Sequence, residues 1–311
     1  MYSNASNFVK DVDTAFAVIF IVTLFFLVSL TGVLIYFLVK YREKKNPTPT
    51  QIEGNTTLEL VWTFIPLLIV MGMFYFGWTG WKPMRSKPPK DSMNIKTTAR
   101  MWSWDFEYEN GRRTDTLYVP QGKSVALQLD ALDVIHSLYI PAFRVKQDMV
   151  PGREDQMWFI ANSPGKYDLF CTEYCGLRHS YMYTSVVVMP PDEFEKWYTD
   201  TTTVARGEEA ATPTAAGRQI VQRLGCNACH STDGSRLVGP TFKGIFGKEE
   251  TVITDGNERT ITVDEEYIKR SILEPNADVV EGFNKGLMLS YKDQLTEEEL
   301  NQVVEYLKTI E

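Results

Sequence analysis

The sequence predicts a multidomain membrane protein made of a two-helix transmembrane hairpin, an all-β sandwich and an all-α domain, in that order. Three observations carry the prediction. Two long uncharged apolar runs are confined to the first 81 residues, a middle stretch shows short alternating apolar runs broken by Pro-Gly and Asn-Gly pairs, and the C-terminal stretch repeats its apolar residues at helical spacing. A chain of 311 residues has room for two small globular domains besides an anchor.

The anchor comes first. Thr14 to Val39 runs 26 residues without a charge, and at about 1.5 Å per residue this crosses a hydrocarbon core of about 30 Å. Leu60 to Trp81 is also uncharged and ends in Trp78 and Trp81, aromatics suited to the membrane interface. A cleaved signal peptide is a poorer reading, because the first run is too long and no small-residue cleavage site follows it. The expected hairpin spans residues 1–90, with helices at about 14–39 and 58–81 and Pro66 in the first turns of the second. Positive charge does not orient it, since the loop from Lys40 to Gly54 and the flank after Trp81 each carry four Lys and Arg.

Residues 91–198 form the expected β-domain, an antiparallel sandwich or barrel. Val125, Leu127 and Leu129 are a sample of its alternation. A polar, small-residue stretch at 199–214 reads as a linker. In the last domain, 215–311, the clearest element is a helix opened by a capping box of Thr296 and Glu299, with Leu300, Val303, Val304, Leu307 and Ile310 on one face. Residues 201 to 311 hold 12 Lys and Arg against 19 Asp and Glu, so nearly all of the net charge of −8 lies there. No basic stripe exists anywhere, which excludes nucleic acid as a partner.

The rare residues carry the chemistry. Four Cys and three His make up the whole supply, and all fall into motifs. Cys171-Thr-Glu-Tyr-Cys-Gly-Leu-Arg-His-Ser-Tyr-Met182 puts two thiols, an imidazole and a thioether within twelve residues. Soft sulfur with imidazole selects copper, and a second thiolate allows two copper ions to be bridged. Zinc is the competing metal, although it has no need of Met182. A disulfide between Cys171 and Cys175 is the other reading, if the compartment is oxidising. Separately, Cys226-Asn-Ala-Cys-His230 is the attachment sequence for a covalent c-type haem, in which two thioethers hold the porphyrin and the histidine ligates iron. Met288 is the only methionine after that motif and the candidate sixth ligand, though Leu289 stands where a proline commonly follows.

The pattern C-x-E-x-C-x₃-H-x₂-M, with D-V-I-H at Asp133 to His136, M-W-S-W-D-F-E-Y-E-N-G at 101 to 111, P-G-R at 151 to 153 and the two-helix anchor, resembles subunit II of cytochrome c oxidase. The resemblance covers roughly the first 200 residues. With the haem motif behind it, the chain is similar to the caa-type oxidases whose subunit II carries a fused cytochrome c. It implies a cupredoxin-like sandwich followed by a class I cytochrome c domain. It also implies a dinuclear CuA centre bridged by Cys171 and Cys175, capped by His136 and His179, with Met182 as a weak ligand and Glu173 binding through its carbonyl. A Mg ion at the interface with subunit I through Glu173 belongs to the same implication. Trp102 matches the electron-entry aromatic, with a buried core tryptophan as the alternative. Glu59 matches a glutamate at the mouth of a proton path, with a plain interfacial carboxylate favoured by the helix dipole as the alternative.

Oxygen reduction needs more His ligands than the three present, so it belongs to a partner subunit. The expected role is therefore an electron-entry relay that hands electrons to subunit I, with its haem a and copper B, alongside other oxidase subunits. The upstream donor is a cytochrome c or a quinol-oxidising complex. The expected setting is a bacterial inner membrane, with both termini and both redox domains outside, because c-type haem is loaded outside the cytoplasm. A copper-containing nitric oxide reductase subunit, or a non-respiratory copper and haem redox protein, would use the same parts.

Overall fold

A computed structural model of the chain describes residues 4–48, 50–51, 53–200 and 212–311. These fall into two compact units, Met1–Lys87 with Ala142–Arg144, and Pro88–Pro141 with Val145–Glu311.

The first unit is the membrane hairpin, built from α1 (Val9–Lys40) and α2 (Thr56–Met84). Both helices outrun their apolar stretches, because charged residues such as Asp11 and Glu59 are acceptable in a first helical turn even where they end the hydrophobic run. Asn55 caps α2 by accepting a hydrogen bond from the Leu58 N–H at 3.0 Å. That early start places Pro66 in the helix interior and not in its first turns, so the Trp62 carbonyl has no i+4 donor. The helices run antiparallel: Gly80, near the end of α2, stands opposite Asp11 near the start of α1, and a Cβ on it would lie 3.5 Å from that residue's Cβ. Phe16, Phe20, Leu30, Leu38, Leu68 and Phe74 are all exposed along the hairpin. So continuous an apolar surface is stable against lipid, not against water. The protein is a two-pass membrane protein.

The second unit begins with the β-domain, two five-stranded sheets facing one another across a core that includes Ile95, Phe106, Leu117, Leu127, Leu138 and Phe159. The first sheet has the order β3 (Arg113–Thr114), β2 (Ser103–Tyr108), β1 (Met93–Arg100), β5 (Ser124–Ala131), β8 (Asp155–Ile160). The second has the order β4 (Leu117–Pro120), β10 (Tyr183–Met189), β9 (Gly165–Cys171), β6 (His136–Ile140), β7 (Val145–Met149). The sandwich is mixed and not purely antiparallel, since β1 pairs parallel with β5 and β10 parallel with β4. Alternation specifies which face a residue takes and is silent on strand direction. A short helix, α3 (Pro191–Thr199), closes the domain by stacking Trp197 on Tyr118 at 4.6 Å between ring centroids.

Most of the linker expected at 199–214 lies outside the described residues; within them α4 (Pro213–Arg223) begins at Pro213, capped by Thr212. The C-terminal domain packs α4, α5 (Glu265–Leu273) and α6 (Glu297–Leu307) around a core with Ile220, Leu224, Phe242, Ile268, Val303 and Leu307. The capping box of α6 forms in full, with the Thr296 N–H donating to Glu299 at 2.9 Å and the Glu299 N–H donating to the Thr296 hydroxyl at 3.2 Å. Helices α4 and α6 meet at Gly217, where a Cβ would stand 1.9 Å from the Gln302 carbonyl oxygen. The domain is helical with one addition: β11 (Glu249–Thr254), β12 (Asn257–Thr262) and β13 (Val279–Val280) form a small sheet. Its hairpin turns at Asp255-Gly256, both with positive φ, directly after the β-branched run Thr251 to Thr254.

Candidate functional site

Strand pairing alone brings three of the predicted copper ligands together. In β9 the side chains of Tyr167, Leu169 and Cys171 point inward while Lys166 and Asp168 point out, so period-two alternation delivers the Cys171 thiol to the core. On one side β6 pairs Leu138 with Cys171, which puts His136, on the same face and one pleat along, beside that thiol. On the other side the Cys171 N–H donates to the Met182 carbonyl at 3.1 Å. The loop 172–182 then folds back and returns Cys175 and His179 to the same point.

The result is a nest of soft donors. The two cysteine sulfurs are 3.8 Å apart, nearly twice a disulfide length of about 2.05 Å, and both thiols are free. The Cys175 sulfur is 3.4 Å from His179 Nδ1 and 3.8 Å from the Met182 sulfur. Cys171 lies 3.8 Å from His136 Nδ1 and 3.3 Å from the Glu173 carbonyl oxygen, so the Glu173 backbone faces the nest. His136, Cys171 and Cys175 are buried, with donor atoms within 4.8 Å of one another. The hydrogen bond shared with Cys175, outweighing burial, draws the Cys171 thiol well below its ordinary value, toward the thiolate form that copper binds. A cluster of two thiols, two imidazoles and a thioether fits a pair of bridged coppers.

His136 is held from behind by Asp133, a residue that motif reading quotes but gives no role. His136 Nε2 is 2.7 Å from the Asp133 carboxylate, which also accepts hydrogen bonds from the N–H of Met101 at 2.6 Å and of Val134 at 2.7 Å. Burial pushes the Asp133 carboxyl up, but these bonds outweigh it and hold it below its ordinary value. The arrangement leaves Nδ1 as the metal-facing nitrogen. Trp102 is 6% exposed and donates its indole N–H to the Cys175 carbonyl at 3.1 Å. Gly176 makes room for it: at φ +114 its position suits only glycine, and a Cβ would stand 3.2 Å from the Trp102 ring.

The haem motif opens on a 3₁₀ turn, Cys226–Ala228, and lines one cavity with Cys229, His230, Met288, Phe242 and Leu295. His230 Nδ1 donates to the Pro240 carbonyl at 2.7 Å and its ring stacks on Phe242 at 4.5 Å. Burial lowers its pKa, so the imidazole is neutral and presents Nε2 to the cavity, as an axial iron ligand must. Gly239 packs against the ring, where a Cβ would lie 2.6 Å from His230 Cε1. Burial raises the Cys226 and Cys229 thiols to about 12 and about 11, keeping them as thiols before attachment. Apolar walls, two thiols at one edge and a neutral imidazole fit a c-type haem, and Met288 stands in the wall of the same cavity. Arg100 and Met101 of the copper domain line it too, which no sequence signal announces. Glu59 sits in the other unit, exposed in the first turn of α2.

The chain matches family models for the transmembrane domain of cytochrome c oxidase subunit II over residues 1–77, its periplasmic domain over 112–189, and cytochrome c over 214–311. It is 30% identical over 298 residues to cytochrome c oxidase subunit 2 of Alkalihalophilus pseudofirmus, covering 91% of this chain and 83% of that one. Against cytochrome c oxidase subunit 2 of Bacillus sp. PS3 it is 27% identical over 290 residues, covering 86% and 78%. The crystal structure of the periplasmic domain of subunit II of cytochrome oxidase from Bradyrhizobium japonicum is 30% identical, covering 37% of this chain and 97% of that one at a TM-score of 0.35. The chain belongs to the cytochrome c oxidase subunit II family, in a form that carries its own C-terminal cytochrome c domain, and it is the electron-entry subunit of an oxidase.

Proposed function

We propose that this subunit takes single electrons at a haem c held by Cys226, Cys229, His230 and Met288, passes them to a dinuclear copper centre, and hands them to an oxygen-reducing subunit I. Each group, when bound, accepts and releases one electron at a time. The observation that carries the reading is the continuity of the protein between them. Met101 lines the haem cavity, and its neighbour Trp102 is hydrogen-bonded to the Cys175 carbonyl in the copper nest. Cys171 and Cys175 would hold the coppers through their sulfurs, His136 and His179 through Nδ1, Met182 as a weak ligand and Glu173 through its carbonyl.

The finer points follow from the same reading. The domains are 1–90, 91–198 and 215–311, joined by the 199–214 linker, which keeps the haem domain at about millimolar effective concentration beside its acceptor. The chain sits in a bacterial inner membrane with both redox domains outside, the Glu173 carboxylate faces a Mg ion at the subunit I interface, and Glu59 serves proton uptake. The donor is an external cytochrome c or quinol-oxidising complex. Metal and haem analysis of the purified oxidase tests the reading: two coppers on this chain per covalent haem c support it, and a single copper with an isolated-ion paramagnetic signature overturns it.

A further inference from the structure

One buried charge is left without a role by this reading. Arg100 ends β1 of the copper domain and is 2% exposed. Its guanidinium is engaged by the haem domain. Nη1 donates to the side-chain oxygen of Gln294, and the guanidinium carbon lies 5.3 Å from the centroid of the Tyr291 ring. Tyr291 and Arg100 itself stand at the cavity lined by Cys226, His230 and Met288. Nε and Nη2 are buried and find no hydrogen-bond partner among the described residues. Among the described residues, ion pairs of the haem domain such as Arg223 with Glu299 and Arg259 and Arg270 with Asp278 leave Arg100 out.

An arginine does not discharge in a protein, so this is a permanent positive charge. Removing such a charge from water without a counter-charge is costly, and the Tyr291 face and the Gln294 amide offset only part of it. The charge also acts toward the haem site: it opposes the upward push of burial on the Cys226 thiol and the Tyr291 hydroxyl.

We propose that Arg100 is a positioning residue supplied by the copper domain to the haem site, where its fixed charge raises the haem potential while the two domains are docked. The physical ground is simple. A ferric porphyrin core carries one more positive charge than a ferrous one, so a cation buried beside it disfavours the oxidised form. The exchange it biases is balanced, the electron lost by ferrous iron being the one gained by the oxidised copper pair. Docking and potential are thereby linked: a haem domain that has left the copper domain loses the charge to solvent screening.

The inference rests on the haem assignment above, and its test separates the two. In the full chain, with haem and copper bound, equilibrium redox titration is compared for the wild type, Arg100→Gln and Arg100→Lys. Arg100→Gln is expected to shift the partition of one electron from haem toward copper on the order of tenfold, the scale of one buried charge acting at an effective dielectric of about 20. Arg100→Lys keeps the charge and is expected to keep most of the wild-type partition. Gln294→Glu leaves Arg100 in place but sets a carboxylate against it, and is expected to move the partition the same way as Arg100→Gln. A haem-bearing Arg100→Gln with unchanged partition overturns the proposal, as does equal loss in the Gln and Lys variants. If Arg100→Gln does not fold, an unchanged partition in Gln294→Glu overturns it instead. A wild-type chain without covalent haem overturns the haem assignment, and this inference with it.

Discussion

The indole N–H of Trp102 donates to the Cys175 carbonyl at 3.1 Å, so the aromatic ring beside Met101 of the cavity wall is fastened to the backbone of the soft-donor nest. Both partners are buried, Cys175 at 2% exposure. The bond fixes the ring and Cys175 in one relative position, which is what a repeatable single-electron transfer needs.

Replacing Trp102 with Phe removes that bond and keeps an aromatic ring. A buried carbonyl left without its donor costs about 1 kcal/mol. We expect electron transfer into the copper site to slow about tenfold, the equivalent of ~1.4 kcal/mol in barrier, with the copper paramagnetic signal intact. Stopped-flow reduction measures the rate. Unaltered transfer would return Trp102 to an ordinary core tryptophan.

Asp133→Asn keeps the shape behind His136 and removes the charge. The side chain now meets three donors, the N–H groups of Met101 and Val134 and the imidazole nitrogen facing it, with a weaker acceptor. Copper affinity is expected to fall about 10- to 100-fold, the usual effect of losing a carboxylate behind a metal-bound histidine. Competition titration with a copper chelator reads it, and wild-type affinity in the variant would contradict it.

Gly239→Ala tests the haem side. The added methyl would need the space 2.6 Å from His230 Cε1, so the ring must shift away from its bond to the Pro240 carbonyl. Overpacking of this kind costs about 1–3 kcal/mol. The variant should keep its covalent haem through Cys226 and Cys229 while its absorption and resonance Raman spectra report weakened axial ligation. Wild-type spectra would show that the turn has slack.

The soft-donor cluster around Cys171 and Cys175 and the Cys226-to-His230 motif are legible in the sequence because they use scarce residues at short spacing, and a chemical requirement links members of each set directly. Met288 is legible for the opposite reason, as the only methionine in the right stretch. The contact of Arg100 with Tyr291 and Gln294 is not, since it joins residues nearly two hundred positions apart and neither partner is unusual in composition. Strand direction in β1 with β5 was equally hidden, because alternation records burial alone. The β11–β12 hairpin did carry a signal, Asp255-Gly256 after the β-branched run Thr251 to Thr254, but an all-helical expectation for the domain passes over it. The length of α1 and α2 exceeds their apolar runs because hydrogen bonding, not hydrophobicity, ends a helix.

Asp278 supplies a pH prediction away from the metals. Burial pushes its carboxyl up, but Thr254, Arg259 and Arg270 outweigh that and hold it below its ordinary value. A depressed folded pKa adds stability that is fully present above the unfolded value and is lost as pH falls through the folded one. Haem-domain stability should therefore decline as pH drops below about 4. In Asp278→Asn this part of the acid slope should vanish, and stability at neutral pH should fall by ~1–3 kcal/mol because two arginines lose their partner. Thermal unfolding followed at the haem band measures both, and a variant with the wild-type slope would refute the assignment.

The relay itself is tested most directly by flash reduction of the haem in the intact oxidase, with transient absorbance followed separately at the haem and copper bands. The haem should reoxidise and the copper become reduced with one shared rate constant, before any change in the haem of subunit I, and Met288→Ala should alter that equilibration without changing copper content. Copper reduced by the natural donor while the haem of this chain remains oxidised, with Met288→Ala leaving turnover untouched, would contradict the account and make the C-terminal domain a bystander.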